Sequence, residues 1–179
     1  MAYNSFVIDD EKIAVTDTVD SRKVTEWLAN LQAALAGRKP DYLVIHHLEP
    51  DHAGGIAQFV ALYPEVTLVA SAKAFALLPQ FMELPADVKK LTVKEGDTLS
   101  LGSHTLHFIA APMVHWPEVI MSYEDKEKVL FAADGFGKFG AASPNPSKGG
   151  GDRPAASPFT PPLEGTGEAA ISLTTLYKI

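Results

Sequence analysis

The chain has 179 residues, 46% of them hydrophobic and 21% charged, enough for one domain with a sizeable core. No apolar run reaches the roughly 18 to 20 residues of a membrane span, and the formal charge of −7, with no basic stripe, argues against nucleic acid. The absence of cysteine excludes disulfides, thiolate-held zinc or iron–sulfur clusters and a cysteine nucleophile, so any metal is held by nitrogen and oxygen.

Met1 to Ile8 has no basic segment followed by an apolar one, so no secretory signal is read and the cytoplasm is the expected location. Residues 4–8 and 12–16 are short β-prone runs around Asp9, Asp10 and Glu11, the pattern of a hairpin with a polar turn. From Ser21 to Ala36 the apolar residues Val24, Trp27, Leu28, Leu31, Ala34 and Leu35 recur at helical spacing, with Asp20 or Ser21 to cap the start and Gly37 and Pro40 to stop the end. Tyr42 to Ile45 reads as a buried strand that runs into a polar loop, His46 to His52, and then a helix beginning near Gly54 or Gly55. A strand at 66–70, a short helix at 73–82 and strands at 91–93, 98–101, 105–110, 119–123 and 128–132 follow. Hairpins mixed with strand–helix–strand units predict a layered α/β domain over 1–140 with function carried on its loops.

After about Gly140 the composition changes. Residues 141–170 hold six of the thirteen prolines and five of the thirteen glycines with few apolar side chains, so 141–179 is expected to be a low-complexity, disordered tail, with at most one short strand or helix after Ala169.

The informative segment is Ile45-His46-His47-Leu48-Glu49-Pro50-Asp51-His52-Ala53-Gly54-Gly55, which puts four potential ligands in the pattern His-x-Glu-x-Asp-His between a strand and a helix. In an extended loop, side chains two apart share one side, so His47, Glu49 and Asp51 are expected to converge, with a turn bringing His52 beside them and Gly54 and Gly55 easing the entry to the helix. Two further polar residues sit at the mouths of apolar strands: His115, in Ala111-Pro112-Met113-Val114-His115-Trp116-Pro117, and Asp134, which closes Val129 to Ala133. The lesser reading of Asp134 is a cap on the turn into Gly135. His46, which points opposite to His47, and His104 and His107, on a hairpin without acidic company, are read as structural. Gly135-Phe-Gly-Lys-Phe-Gly140 matches Gly-x-Gly-x-x-Gly but lacks both the P-loop Lys-Ser/Thr and an acidic residue at dinucleotide-site distance.

On these motifs, residues 1–140 resemble the N-terminal domain of flavodiiron proteins (A-type flavoproteins), which have a metallo-β-lactamase-like αββα sandwich and reduce oxygen or nitric oxide at a non-haem di-iron centre. The resemblance implies two iron ions: His47, Glu49 and His115 on one, Asp51 and His52 on the other, and Asp134 bridging. Hydrolases of the same fold usually read His-x-His-x-Asp-His. Here Glu49 replaces the second His, a hard anionic donor suited to an oxidisable iron, whereas zinc has no redox chemistry. Two metals roughly 3.5 to 4 Å apart suit a diatomic substrate, O2 or paired NO.

The pattern also departs from the family. A further His several dozen residues after the bridging Asp ligates the second iron in the family, and this chain has none after His115. An FMN-binding flavodoxin-like domain normally follows in the family, and a form without one is expected here. The expectation is therefore a fold incomplete at its C-terminus, in a truncated form of the reductase, as a frameshift or misassigned gene end near Gly140 would produce. Its electrons would come from an external flavodoxin- or rubredoxin-like donor. The family's head-to-tail homodimer stays open, although without a flavin domain it loses its purpose. The alternatives are a metal-dependent hydrolase of the same fold, against which Glu49 argues, and a non-catalytic remnant that binds metal weakly.

Overall fold

The computed structural model of the chain describes residues 4–136 and 176–178. Phe6–Asp9 (β1) and Ile13–Thr16 (β2) form the expected hairpin, with Phe6 opposite Thr16 and Asp9 opposite Ile13. Asp20 accepts the Arg22 N–H and opens a 3-10 turn over Ser21–Lys23, from which helix α1 runs over Val24–Leu35. Its buried residues, Val24, Trp27, Leu31 and Leu35, are spaced three and four apart, and burying a large apolar side chain contributes roughly 1.5–3 kcal/mol. Ala36 ends the helix in the left-handed conformation at φ 48°, and Gly37 follows at φ 88°.

Tyr42–Val44 (β3), Thr67–Ser71 (β4) and Lys89–Val93 (β5) add in parallel beyond β2, while Leu176–Lys178 (β10) pairs antiparallel with the free side of β1. The sheet order is β10-β1-β2-β3-β4-β5. Parallel pairs need crossovers. They are supplied by α1, by Pro50–Ala53 (α2) and Ile56–Leu62 (α3), and by Ala72–Leu77 (α4). Thr98–Ser100 (β6), Thr105–Ala110 (β7), Ile120–Glu124 (β8) and Val129–Phe131 (β9) form a second, antiparallel sheet in chain order.

Strand periodicity divides the core. Val7, Val15, Leu43 and Leu68 pack with Trp27, Leu31 and Phe59 of the helices, and their immediate neighbours Ile8, Ala14, Val44 and Val69 pack with Leu106, Phe108 and Phe131 of the second sheet. Helices, sheet and sheet thus stack as the first three layers of the αββα sandwich. Among the described residues no helix covers the outer face of the second sheet, where Ile109 is 37% and Leu130 41% exposed. None of the helices among the described residues is long and apolar enough to cross a membrane.

Two local expectations are corrected. The chain does not stay extended to His52: Pro50 starts α2 four residues early, because its ring presets a helical φ at the first position and Asp51 suits the first turn. Gly54, expected to ease a tight backbone turn into the helix, has an ordinary helical φ of −63°, and what it supplies is room. A Cβ there would lie 2.6 Å from Ser21 N and 2.7 Å from Pro50 O. Of the expected tail over 141–179, only 176–178 are described, as β10; the rest of it and the boundary at 140 lie outside the described residues.

Candidate metal centre

The ends of three strands and one connection between strands deliver the site. β3 ends one residue before His46 and His47, β2 directly before Asp17 and Thr18, and β9 shortly before Asp134, while the connection from β7 to β8 carries His115, Trp116 and Glu118. Thr18 anchors the α2 turn, both its N–H (2.7 Å) and its hydroxyl (2.8 Å) donating to the His52 carbonyl while its Oγ1 accepts Gly55 N–H at 3.0 Å.

One nitrogen or oxygen from each of His47, Glu49, His115 and Asp134 lies within 4.8 Å of the other three. His47 Nε2 is 3.2 Å from Glu49 Oε2, and His115 Nε2 is 3.1 Å from both Glu49 Oε2 and Asp134 Oδ2. The other oxygen of Asp134, Oδ1, turns to His52 Nε2 at 3.1 Å. Asp134 therefore faces two groups of ligand-type side chains, one through each oxygen. Asp51 stands apart from the four, in the first turn of α2, where its Oδ1 is buried without a hydrogen-bond partner. Two imidazoles with two carboxylates form a donor set that fits iron, and an orphaned buried carboxylate oxygen near His52 is one that a second cation would satisfy.

Charge in the cluster is mutually supporting. Burial pushes the His52 imidazole down, but Asp17, Asp134 and Asp51 outweigh it and raise its pKa above the ordinary value. Partial burial works the other way on Asp134, where the His115 hydrogen bond and the nearby His52 and His47 rings prevail and hold the carboxyl below the usual range. The centre is graded in exposure: the His47 side chain is fully enclosed, whereas that of His115 is 53% exposed. Beside His52 a cavity is lined by Phe6, Thr16, Asp17, Leu130 and Ala133.

Three residues not anticipated from the sequence support these groups. Glu118 Oε1 is 2.8 Å from His47 Nδ1 and accepts Leu48 N–H at 3.0 Å. Asp17, at φ 51°, accepts His46 N–H at 2.8 Å through Oδ1, while its Oδ2 is 2.9 Å from His46 Nδ1 and 3.9 Å from His52 Nδ1. Ser122 meets the other His46 nitrogen at 2.7 Å, so His46 bolts the two sheets together beneath the site, in line with its structural assignment. The one available signal was an acidic residue at the edge of an apolar strand, as in Glu118-Val119-Ile120-Met121. His104 and His107 do have acidic company, contrary to expectation: Glu124 at 2.9 Å and Asp125 at 3.0 Å. Pairing of β7 with β8 brings these acids across from residues some twenty positions earlier, which no local pattern displays.

The sequence matches the model of the ODP family beta lactamase over residues 1–147. The chain is 38% identical over 138 residues to the anaerobic nitric oxide reductase flavorubredoxin of Pectobacterium atrosepticum, covering 76% of this chain and 27% of that protein. Among solved structures, the flavodiiron protein from Giardia intestinalis superposes with a TM-score of 0.71 at 35% identity, over 75% of this chain and 33% of that one. The rubredoxin oxygen:oxidoreductase of Desulfovibrio gigas gives 0.63 at 35% identity, over 72% and 32%. The chain spans about a quarter of the length of the curated relatives it matches. With a family match over most of its length and these folds superposed on its sheets, the chain belongs to the ODP family of beta lactamases, as a flavodiiron N-terminal metallo-β-lactamase-like domain.

Proposed function

We propose that residues 1–140 form the di-iron domain of an oxygen or nitric oxide reductase. His47, Glu49 and His115 hold one iron, Asp51 and His52 the other, and Asp134 bridges them. The observation that carries this is the two-sided Asp134, with Oδ2 at 3.1 Å from His115 and Oδ1 at 3.1 Å from His52. When bound, a pair of irons supplies electrons in concert to O2 or NO. The residues of the chain position and wall that pair: His47 forms the enclosed floor, Trp116 stands edge-on against it at 5.1 Å between ring centroids, and His115 and Glu49 line the open side. Relatives named for nitric oxide reduction and for rubredoxin:oxygen oxidoreduction support these substrates and an external flavodoxin- or rubredoxin-like electron donor.

The test is anaerobic Fe(II) reconstitution of the chain, followed by iron counting and by O2 and NO consumption with an external reduced flavin donor. Two irons per chain with donor-dependent turnover is the expected result. Two tightly held zinc ions with esterase or lactamase turnover would reassign the chain as a hydrolase. A second reading has an observation of its own: within these 179 residues no histidine follows His115, where the family resemblance expects one more imidazole for the second iron. A single tight iron with a weak second one and no turnover would mark a metal-binding remnant.

A further inference from the structure

We infer that Glu118 is the positioning residue of the centre: it holds His47 in the tautomer protonated at Nδ1 and so presents the Nε2 lone pair to Glu49, His115 and Asp134. The inference rests on the di-iron reading for its purpose, and on local geometry alone for its substance.

The Glu118 and His47 side chains are both fully buried, and their contact joins residues 71 apart in the sequence. A carboxylate oxygen has no proton to give. Oε1 already accepts Leu48 N–H at 3.0 Å, so in the 2.8 Å contact His47 Nδ1 is the donor. A neutral imidazole with its proton on Nδ1 has a bare Nε2. That nitrogen points at two carboxylate oxygens, Glu49 Oε2 at 3.2 Å and Asp134 Oδ2 at 3.8 Å, and a shared cation reconciles the three lone-pair donors.

The backbone of Glu118 is fixed independently. Its carbonyl accepts the Ser71 hydroxyl at 2.8 Å, and the same Ser71 oxygen caps α4 by accepting Ala74 N–H at 3.0 Å. Two residues on, Ile120 N–H donates to the His46 carbonyl at 3.1 Å. The carboxylate is therefore delivered to His47 by the frame that joins the two sheets, and Trp116 packs edge-on to the same ring. Oε2 of Glu118 is buried with no hydrogen-bond partner. A carboxylate that served packing alone would carry that cost without return, whereas one whose charge strengthens the basicity of the opposite imidazole nitrogen is offset by tighter metal binding.

The test compares the wild-type 179-residue chain with Glu118→Gln and Glu118→Ala. The first readout is long-range proton–nitrogen NMR of 15N-histidine-labelled, metal-free protein at about pH 8, where imidazoles are mostly neutral. The second is Fe(II) affinity by anaerobic chelator competition. His47 should be protonated at Nδ1 in wild type and in Glu118→Gln, whose amide oxygen still accepts, and should shift toward Nε2 protonation in Glu118→Ala. Fe(II) affinity should fall about 10-fold in Glu118→Gln and about 100-fold in Glu118→Ala. An unchanged tautomer in Glu118→Ala, or Nε2 protonation already in wild type, overturns the inference. A tautomer switch in a chain that binds no Fe(II) leaves Glu118 in its role and removes the di-iron reading instead.

Discussion

Nε2 of His52 and Oδ1 of Asp134 meet at 3.1 Å across 82 residues of sequence, joining the α2 turn to the end of the second sheet. Asp134 turns its other oxygen to His115, so its removal and that of His52 should differ in kind. Asp134→Ala is expected to reduce bound iron from about two per chain to well under one, and His52→Ala to reduce it to about one. Iron counting after anaerobic reconstitution distinguishes them, and equal losses in the two variants would show that Asp134 does not bridge.

Gly54 is chosen for space. Gly54→Ala places a methyl group against backbone atoms of Ser21, Pro50 and Val19, none of which yields as a side-chain tip would. A cost of about 3 kcal/mol or more, at the upper end for overpacking, is expected in urea unfolding. A stability within about 0.5 kcal/mol of wild type would show that α2 shifts freely.

His104 is a purely structural histidine by its contacts. Its Nδ1 is 2.9 Å from the buried Glu124, which also accepts Lys126 N–H and Glu127 N–H and so fixes the turn between β8 and β9. His104→Ala should destabilise the fold by about 2 kcal/mol, the order expected for a hydrogen bond to a buried charged group, and leave Fe(II) affinity unchanged. An affinity loss comparable to that in His115→Ala would contradict this separation.

Acid should weaken the start of α1. The Asp20 carboxyl is lowered from 3.8 to about 2, first by its side-chain hydrogen bond with Arg22 and then by the Arg22 N–H. A depressed carboxylate contributes stability that is complete above its unfolded pKa and is lost as pH falls through the folded value. The difference in Tm between wild type and Asp20→Ala should therefore be constant above about pH 5 and shrink as pH falls from about 4 toward 2. A difference that stays level over that range would show that the cap works without its charge.

What the sequence disclosed follows from how local each signal is. His47, Glu49, Asp51 and His52 lie within six residues, and the strand ahead of them is a plain apolar run, so the candidate ligand cluster and its placement after a strand end are legible. His115 and Asp134 also stand out, each being a polar residue after an apolar strand. The hairpin of β1 and β2 and the spacing of Trp27, Leu31 and Leu35 are likewise local patterns. Glu118 and Asp17 are not legible, because their meaning depends on which strand ends become neighbours: His47 reaches Glu118 only once the two sheets have stacked. The loop after β3 departs from its expected form because alternation assumes extended backbone, and Pro50 turns the chain helical before Asp51.

Asp17 combines two demands that few side chains meet together. Its backbone bends at φ 51°, where a β-branched or long residue is penalised and Asp, Asn and Gly are tolerated, and its two oxygens must reach both the N–H and the ring of His46. Glycine would keep the bend and lose the clasp, and glutamate would keep the charge while overreaching from a disfavoured conformation. The position thus works as a narrow gate on variation: a library randomised there and sorted for folded protein should return aspartate first and asparagine second.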